Sequence, residues 1–145
     1  MFIGEYSHSI DDKGRLTIPA RFRAPLAEGC FISRGFDKHL IIYTRSDFQV
    51  LSAKASRLSL TNLQHRDLWR MFYGAAHEDT PDNQGRVQVP QFLRDYAGLD
   101  GEVRLVGVGQ FVEVWAAGAW NEKQQQLNDP ATNAERFATL DLSTG

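Results

Sequence analysis

The residues best suited to chemistry in this chain are two Asp–Arg pairs. Asp11 precedes Arg15 by four positions, and Asp82 precedes Arg86 by four. In each case a glycine (Gly14, Gly85) stands directly before the arginine and a proline (Pro19, Pro90) four positions after it. A carboxylate four residues before an arginine, across a tight turn, can reach back and hold the guanidinium, fixing a side chain that is otherwise costly to order. A fork oriented in this way suits phosphate oxygens or the O6 and N7 of guanine. The simpler reading is a hairpin turn, in which Asp caps, Gly supplies positive φ and the arginine leaves toward water. The repetition of all four residue types puts the functional arginine on an equal footing with the simple turn.

The duplication extends beyond the loop. Asp11-Asp12-Lys13-Gly14-Arg15-Leu16-Thr17-Ile18-Pro19 returns as Asp82-Asn83-Gln84-Gly85-Arg86-Val87-Gln88-Val89-Pro90, an offset of 71 residues measured from Gly14 to Gly85. Phe22 then matches Leu93 and Arg23 matches Arg94. After a one-residue slip, Gly29 falls on Gly101, Gly35 on Gly107, Leu40 on Val112, Ile42 on Val114, Tyr43 on Trp115 and Phe48 on Trp120. Two copies at one long offset mark a duplicated unit rather than a solenoid, which needs three or more.

The copies differ in charge. Lys13, Arg15, Arg21 and Arg23 crowd the first segment, whereas Glu78, Asp79, Asp82 and Asp95 surround Arg86 and Arg94. The first arm is therefore expected to do more of any binding to a polyanion. The net charge of -2 weighs against a dedicated nucleic-acid binder. Charges beyond about 10 Å are largely screened, however, so a local basic face can still act, with weak binding per monomer.

The elements that must position these residues follow from local pattern. Residues 2–10 alternate loosely and predict a strand; 11–14 form a turn; Arg15 to Ile18 is a strand with Leu16 and Ile18 on one face. Pro19 fits the first turn of a short helix over 20–26. Strands are expected at 31–34 and 40–43 around a turn at 35–37. Ser46 is the expected N-cap of a helix carrying Phe48, Leu51, Ala55 and Leu58, and a second helix is expected over 62–75. The second half repeats the order: a strand at 76–80, a turn at 82–85, a strand at 86–89 and a short helix after Pro90. Strands at 103–108 and 111–115 follow, joined at Gly109-Gln110. A helix around 120–127 is interrupted by Pro130, and the residues up to Gly145 are expected to fray.

Four short strands and one small helix make a poor core alone, so the two halves should combine into one pseudo-symmetric barrel domain. The expected division is a first repeat at 1–48, a helical connector at 49–75, a second repeat at 76–120, and a C-terminal helix and tail at 121–145. Trp69, Phe72 and Tyr73 of the connector could pack on their own barrel or on a neighbouring subunit.

The 145 residues suffice for such a domain. The single cysteine, Cys30, excludes an internal disulfide and is expected to be a small buried hydrophobe. No apolar run approaches the roughly 20 residues of a membrane span, and Met1 to Glu5 has no signal pattern, so a cytoplasmic, non-membrane protein is expected. His8, His39, His65 and His77 lack metal-ligand spacing, and no nucleophile elbow, phosphate-binding loop or zinc-protease motif is present. No catalytic residue, metal or cofactor is assigned.

As a set, these motifs resemble the MraZ family of bacterial transcriptional regulators. The similarity lies in the opening Met-Phe-x-Gly-Glu-Tyr, in Asp-x-Lys-Gly-Arg-Leu-x-Ile-Pro, in Asp-x-Gln-Gly-Arg-Val-x-Val-Pro with Leu93 to Leu99, and in Val106 to Gly109 with Val112 to Trp115; it covers roughly Met1 to Leu127. The resemblance implies a mainly β fold with flanking helices: a pseudo-twofold, double-split (swapped-hairpin) β-barrel from two repeats of the AbrB/SpoVT/MazE-like type. It implies a homo-oligomeric ring, associated with the nucleoid, that binds double-stranded DNA at short promoter direct repeats. These lie upstream of the operon for cell division and cell-wall synthesis, which such proteins typically repress. The family's Asp-x-x-x-Arg motif falls on Asp11/Arg15 and Asp82/Arg86. The expected DNA-binding residues are Lys13, Arg15 and Arg86, with Asp11, Gly14, Asp82 and Gly85 as loop support. An antitoxin-like protein-interaction module of the same superfamily is the alternative, and an enzyme the more distant one.

Overall fold

The computed structural model describes residues 1–144. It contains eight strands and six helices: β1 Glu5–Ile10, β2 Arg15–Thr17, α1 Ala20–Leu26, β3 Cys30–Arg34, β4 Leu40–Thr44, α2 Arg45–Ala55, α3 Leu63–Tyr73, β5 His77–Asp79, β6 Arg86–Gln88, α4 Gln91–Ala97, β7 Gly101–Gly107, β8 Phe111–Ala116, α5 Ala117–Leu127 and α6 Pro130–Arg136. None of the helices among the described residues is long and apolar enough to cross a membrane.

All strands join one antiparallel sheet in the order β5-β3-β4-β8-β7-β1-β2-β6. This order has twofold logic. The hairpins β3–β4 and β7–β8 are internal to the repeats, but β1 pairs with β7 and β5 with β3, each across the repeats. The axis relates β4 to β8 and β2 to β6, which pair directly. Neither repeat completes a sheet by itself, which is the swapped-hairpin barrel. The curled sheet is nearly closed: β1 and β2 share a ladder bridge at Ile10↔Leu16, whereas β5 and β6 are joined by a side chain, the Gln88 backbone N–H donating to Asp79 Oδ2 at 2.6 Å.

The core lines the inside. Leu16, Ile18, Ile32, Leu40, Ile42, Val87, Val89, Val103, Leu105, Val112 and Val114 are all buried, as the period of two along short strands requires. Phe22 and Leu26 of α1, with Leu93 and Ala97 of α4, cap the two ends in matching positions. Cys30 is buried, and burial pushes its thiol up to about 12, in keeping with a packing role.

Several boundaries differ from the pattern reading. β1 begins at Glu5, because Gly4 has a positive φ and Phe2 makes only an isolated bridge to Gly109. The N-cap of α2 is Thr44 rather than Ser46: Thr44 Oγ1 accepts from the Asp47 N–H at 3.1 Å. Thr44 still pairs with Cys30 in the sheet, so the helix starts where the ladder ends. The C-terminal helix starts at Ala117, directly from β8, and Pro130 opens a further helix rather than only ending one, with Asp129 as its cap. Residues 137–144 are irregular, and Gly145, the end of the expected frayed tail, lies outside the described residues.

Of the connector aromatics, Phe72 packs on its own barrel, Trp69 bonds to α2 and Tyr73 stays partly exposed. Phe48 stacks on Phe31 (4.0 Å) and on Phe72 (5.3 Å), Tyr43 meets Phe72 edge-on at 5.9 Å, and Trp69 Nε1 donates to the Ala55 carbonyl at 2.9 Å. A groove of about 210 Å³ remains between these helices and the sheet, lined by residues such as Ile41, Leu51, Leu68 and Met71.

Candidate nucleic-acid interface

Each duplicated loop closes by the same bonds. In the first, Gly14 N–H donates to the Asp11 carbonyl (3.0 Å) and Asp11 N–H to the Arg15 carbonyl (3.1 Å); in the second, Gly85 donates to Asp82 (2.9 Å) and Asp82 to Arg86 (2.9 Å). Gly14 and Gly85 sit at φ +83 and +74, the left-handed region where a side chain is strained. Gly is therefore the residue the turn demands at both positions.

The carboxylates brace the arginines. Asp11 Oδ1 accepts the backbone N–H groups of Lys13 (3.0 Å) and Arg15 (2.8 Å), while its Oδ2 accepts Arg15 Nε at 2.6 Å. Asp82 repeats the set with Gln84 N–H (2.9 Å), Arg86 N–H (2.9 Å) and Arg86 Nε (3.0 Å). These bonds, led by the backbone N–H of Arg15 or Arg86, hold both carboxyl groups below the ordinary aspartate range. Because the brace falls on Nε, each Nη1/Nη2 fork stays outside it.

The barrel brings the two arginines together. β2 pairs with β6 so that Arg15 faces Gln88, Leu16 faces Val87 and Thr17 faces Arg86. Leu16 and Val87 point into the core, so Arg15, Thr17, Arg86 and Gln88 share the outer face of this two-stranded ribbon. Arg15 and Arg86 stand on its diagonal, with Cα atoms about 7–8 Å apart. The loops are stitched together across the repeats: Ile18 N–H donates to the Gly85 carbonyl and Val89 N–H to the Gly14 carbonyl, both at 2.8 Å. Lys13 is exposed at the Arg15 end.

Arg23, grouped by sequence with the basic first segment, and its second-repeat counterpart Arg94 have another role. Arg23 Nε donates to the Ile18 carbonyl (2.9 Å) and Arg94 Nε to the Val89 carbonyl (3.0 Å), and each lies against the loop glycine of the opposite repeat. Their matched positions in the two copies were the available signal. Asp79, one of the acidic residues grouped by sequence around Arg86, stands beside the ribbon as the acceptor for Gln88 N–H. Gln88 lies outside the repeated Asp, Gly, Arg and Pro positions, so the duplication gives no signal for it.

The fold and its paired loops define a class: a duplicated, swapped-hairpin barrel whose two Asp-x-x-x-Arg loops converge on one outward ribbon. A family model described as "MraZ protein, putative antitoxin-like" matches twice, at residues 1–71 and 71–142, extending the similarity past Leu127. Relatives named Transcriptional regulator MraZ include that of Carboxydothermus hydrogenoformans, 46% identical over 121 residues (83% of this chain, 85% of the relative). That of Roseiflexus sp. is 44% identical over 138 residues (95% and 94%), and that of Clavibacter michiganensis 43% over 122 residues (84% and 85%). This chain belongs to the MraZ family.

Proposed function

We propose that this protein is a sequence-specific, DNA-binding transcriptional regulator acting through the β2–β6 ribbon. The observation that carries this reading is the presence of two carboxylate-braced guanidinium groups side by side on one outward face. A two-stranded ribbon fits the major groove of B-form DNA, and an arginine fork matches the O6/N7 edge of guanine or a phosphate. The names of the relatives support regulation of transcription. A single ribbon offers few phosphate contacts, and the chain is acidic overall, so one subunit binds weakly. A homo-oligomeric ring that engages successive short direct repeats turns weak contacts into tight binding through effective concentration. On this reading Lys13, Arg15 and Arg86 contact DNA, with Asp11, Gly14, Asp82 and Gly85 holding the loops. The protein works at the nucleoid in the cytoplasm and represses the division and cell-wall operon, without catalysis.

A gel shift on the DNA upstream of the protein's own gene, with native mass measured alongside, tests this. Stepwise retarded complexes and a mass several times 16.4 kDa are expected. Absence of any shift at low salt would reject it.

A second reading, an antitoxin-like module that binds another protein, draws on the family description and on the apolar groove beside α2 and α3. Partners that survive nuclease treatment in a lysate pull-down would favour it over DNA.

A further inference from the structure

The two ends of the ribbon are not alike: Lys13 corresponds to Gln84, and Gln88 to Thr17. The pseudo-twofold axis exchanges the facing pair Arg15·Gln88 with the pair Arg86·Thr17. The arginines match; their partners do not. Gln88 is exposed yet anchored twice: its backbone N–H donates to Asp79 Oδ2 and its side-chain Nε2 to the Lys13 carbonyl, both at 2.6 Å. Gly14 makes room for this arrangement, since a β-carbon there would stand 2.8 Å from Gln88 Nε2. The bond to Lys13 uses one of the two amide N–H groups, leaving Oε1 and the second N–H available in a fixed plane. The first-repeat counterparts of Asp79 and Gln88 are His8 and Thr17, and Thr17 has no amide to place.

We propose that Gln88 is a specificity-determining residue that reads a base pair beside the one met by Arg15 and gives the ribbon a direction on DNA. This rests on the DNA-binding reading above. A preset glutamine amide pairs with N6 and N7 of adenine, whereas threonine offers a hydroxyl and a methyl group. One end of the ribbon then presents Lys13, Arg15 and Gln88, the other Gln84, Arg86 and Thr17. A twofold element with equal ends would read a palindrome; unequal ends favour one orientation, which suits sites repeated in the same direction.

The test is selection of bound duplexes from a randomised pool by the full-length wild-type protein, by Gln88→Thr and by Thr17→Gln. Wild type should show an adenine preference of roughly tenfold at one position beside a guanine. Gln88→Thr should lose that preference alone, keeping the guanines and the heat stability of the fold. Thr17→Gln should create a matching preference at the mirror position and make the selected site more symmetric. Unchanged base preferences in both variants would overturn the proposal. So would a uniform loss of affinity at every position in Gln88→Thr with no new preference in Thr17→Gln, since that marks Gln88 as structural. A wild-type protein that selects no sequence at all would instead defeat the DNA-binding reading.

Discussion

Arg94 closes over Gly14, a residue of the opposite repeat. A β-carbon at Gly14 would stand 2.9 Å from Arg94 Cζ and 2.6 Å from the Val89 carbonyl oxygen. Arg23 and Gly85 repeat the contact, with Arg23 Cζ at 2.6 Å from the corresponding point. Each loop is thus packed by the other repeat, and the barrel and the ribbon form together.

Gly14→Ala and Gly85→Ala should both destabilise the fold, each by about 1–2 kcal/mol for the left-handed backbone alone. Gly14→Ala should cost more, because its new methyl meets a backbone carbonyl that cannot swing away, adding roughly 1–3 kcal/mol of overpacking. At Gly85 the nearest atoms belong to the longer Arg23 side chain. Urea unfolding midpoints measure the order; a Gly85 variant less stable than the Gly14 variant would contradict the packing argument.

Arg15→Ala should abolish specific DNA binding, and Arg86→Ala should weaken it less, because Lys13 and Gln88 strengthen the Arg15 end. Arg15→Lys should not restore binding, since a point charge lacks the planar fork. Wild-type affinity should fall by about 0.9 log units per log unit of salt for each phosphate neutralised. Titrations at several salt concentrations check both; a flat salt response, or full affinity in Arg15→Ala, would refute the residue assignment.

The brace on each arginine should be insensitive to pH across the physiological range. Asp11 and Asp82 have folded pKa values below the ordinary aspartate value of 3.8, so their stabilising bonds are fully present above that value. The contribution is lost only as pH falls through the lower, folded pKa. Between pH 8 and 5.5 the affinity should therefore not change on their account. Asp11→Asn, which keeps an acceptor for the backbone but removes the charge held on Nε, should lower affinity about three- to tenfold at neutral pH. Equal affinities for Asp11→Asn and wild type would show that the brace does not matter.

A pH response near neutrality should arise instead on the far side of the barrel. His39 is 2% exposed, stacks on Trp115 at 4.8 Å, and has Nε2 3.4 Å from Glu113 Oε2. Burial lowers its pKa below 6.5, outweighing the opposing pull of Glu113 and Asp37; His8 is also lowered, by burial and then by Arg23. Below pH 6.5 the unfolded chain takes up protons that the folded chain refuses, so stability should fall as pH drops from 7.5 toward the folded pKa. His39→Gln should flatten most of that slope in urea titrations at pH 7.5 and 5.5. A wild-type midpoint that stays constant over this range would rule the effect out.

Much of the local structure was legible because its causes are local. Pro19 and Pro90 do precede short helices, the Asp-to-Gly turns do close as turns, and Leu16, Ile18, Val87 and Val89 do face inward. Ser46 and Thr44 are both good caps two positions apart. The choice between them fell to the ladder partner Cys30, which keeps Thr44 extended. Arg23 and Arg94 were visible as a matched pair, but not as the residues that reach across to the opposite loops.

By itself, the sequence determined the duplication, the two braced loops and the alternation that buries one face of each strand, since these depend on neighbours a few residues apart. Only the tertiary structure decided that β1 joins β7 and β5 joins β3, and that Arg15 and Arg86, 71 positions apart, share one ribbon with Gln88 between the Lys13 carbonyl and Asp79. Those pairings are set by the need of every short strand for a partner at its edges, and neither repeat holds enough strands to meet that need alone.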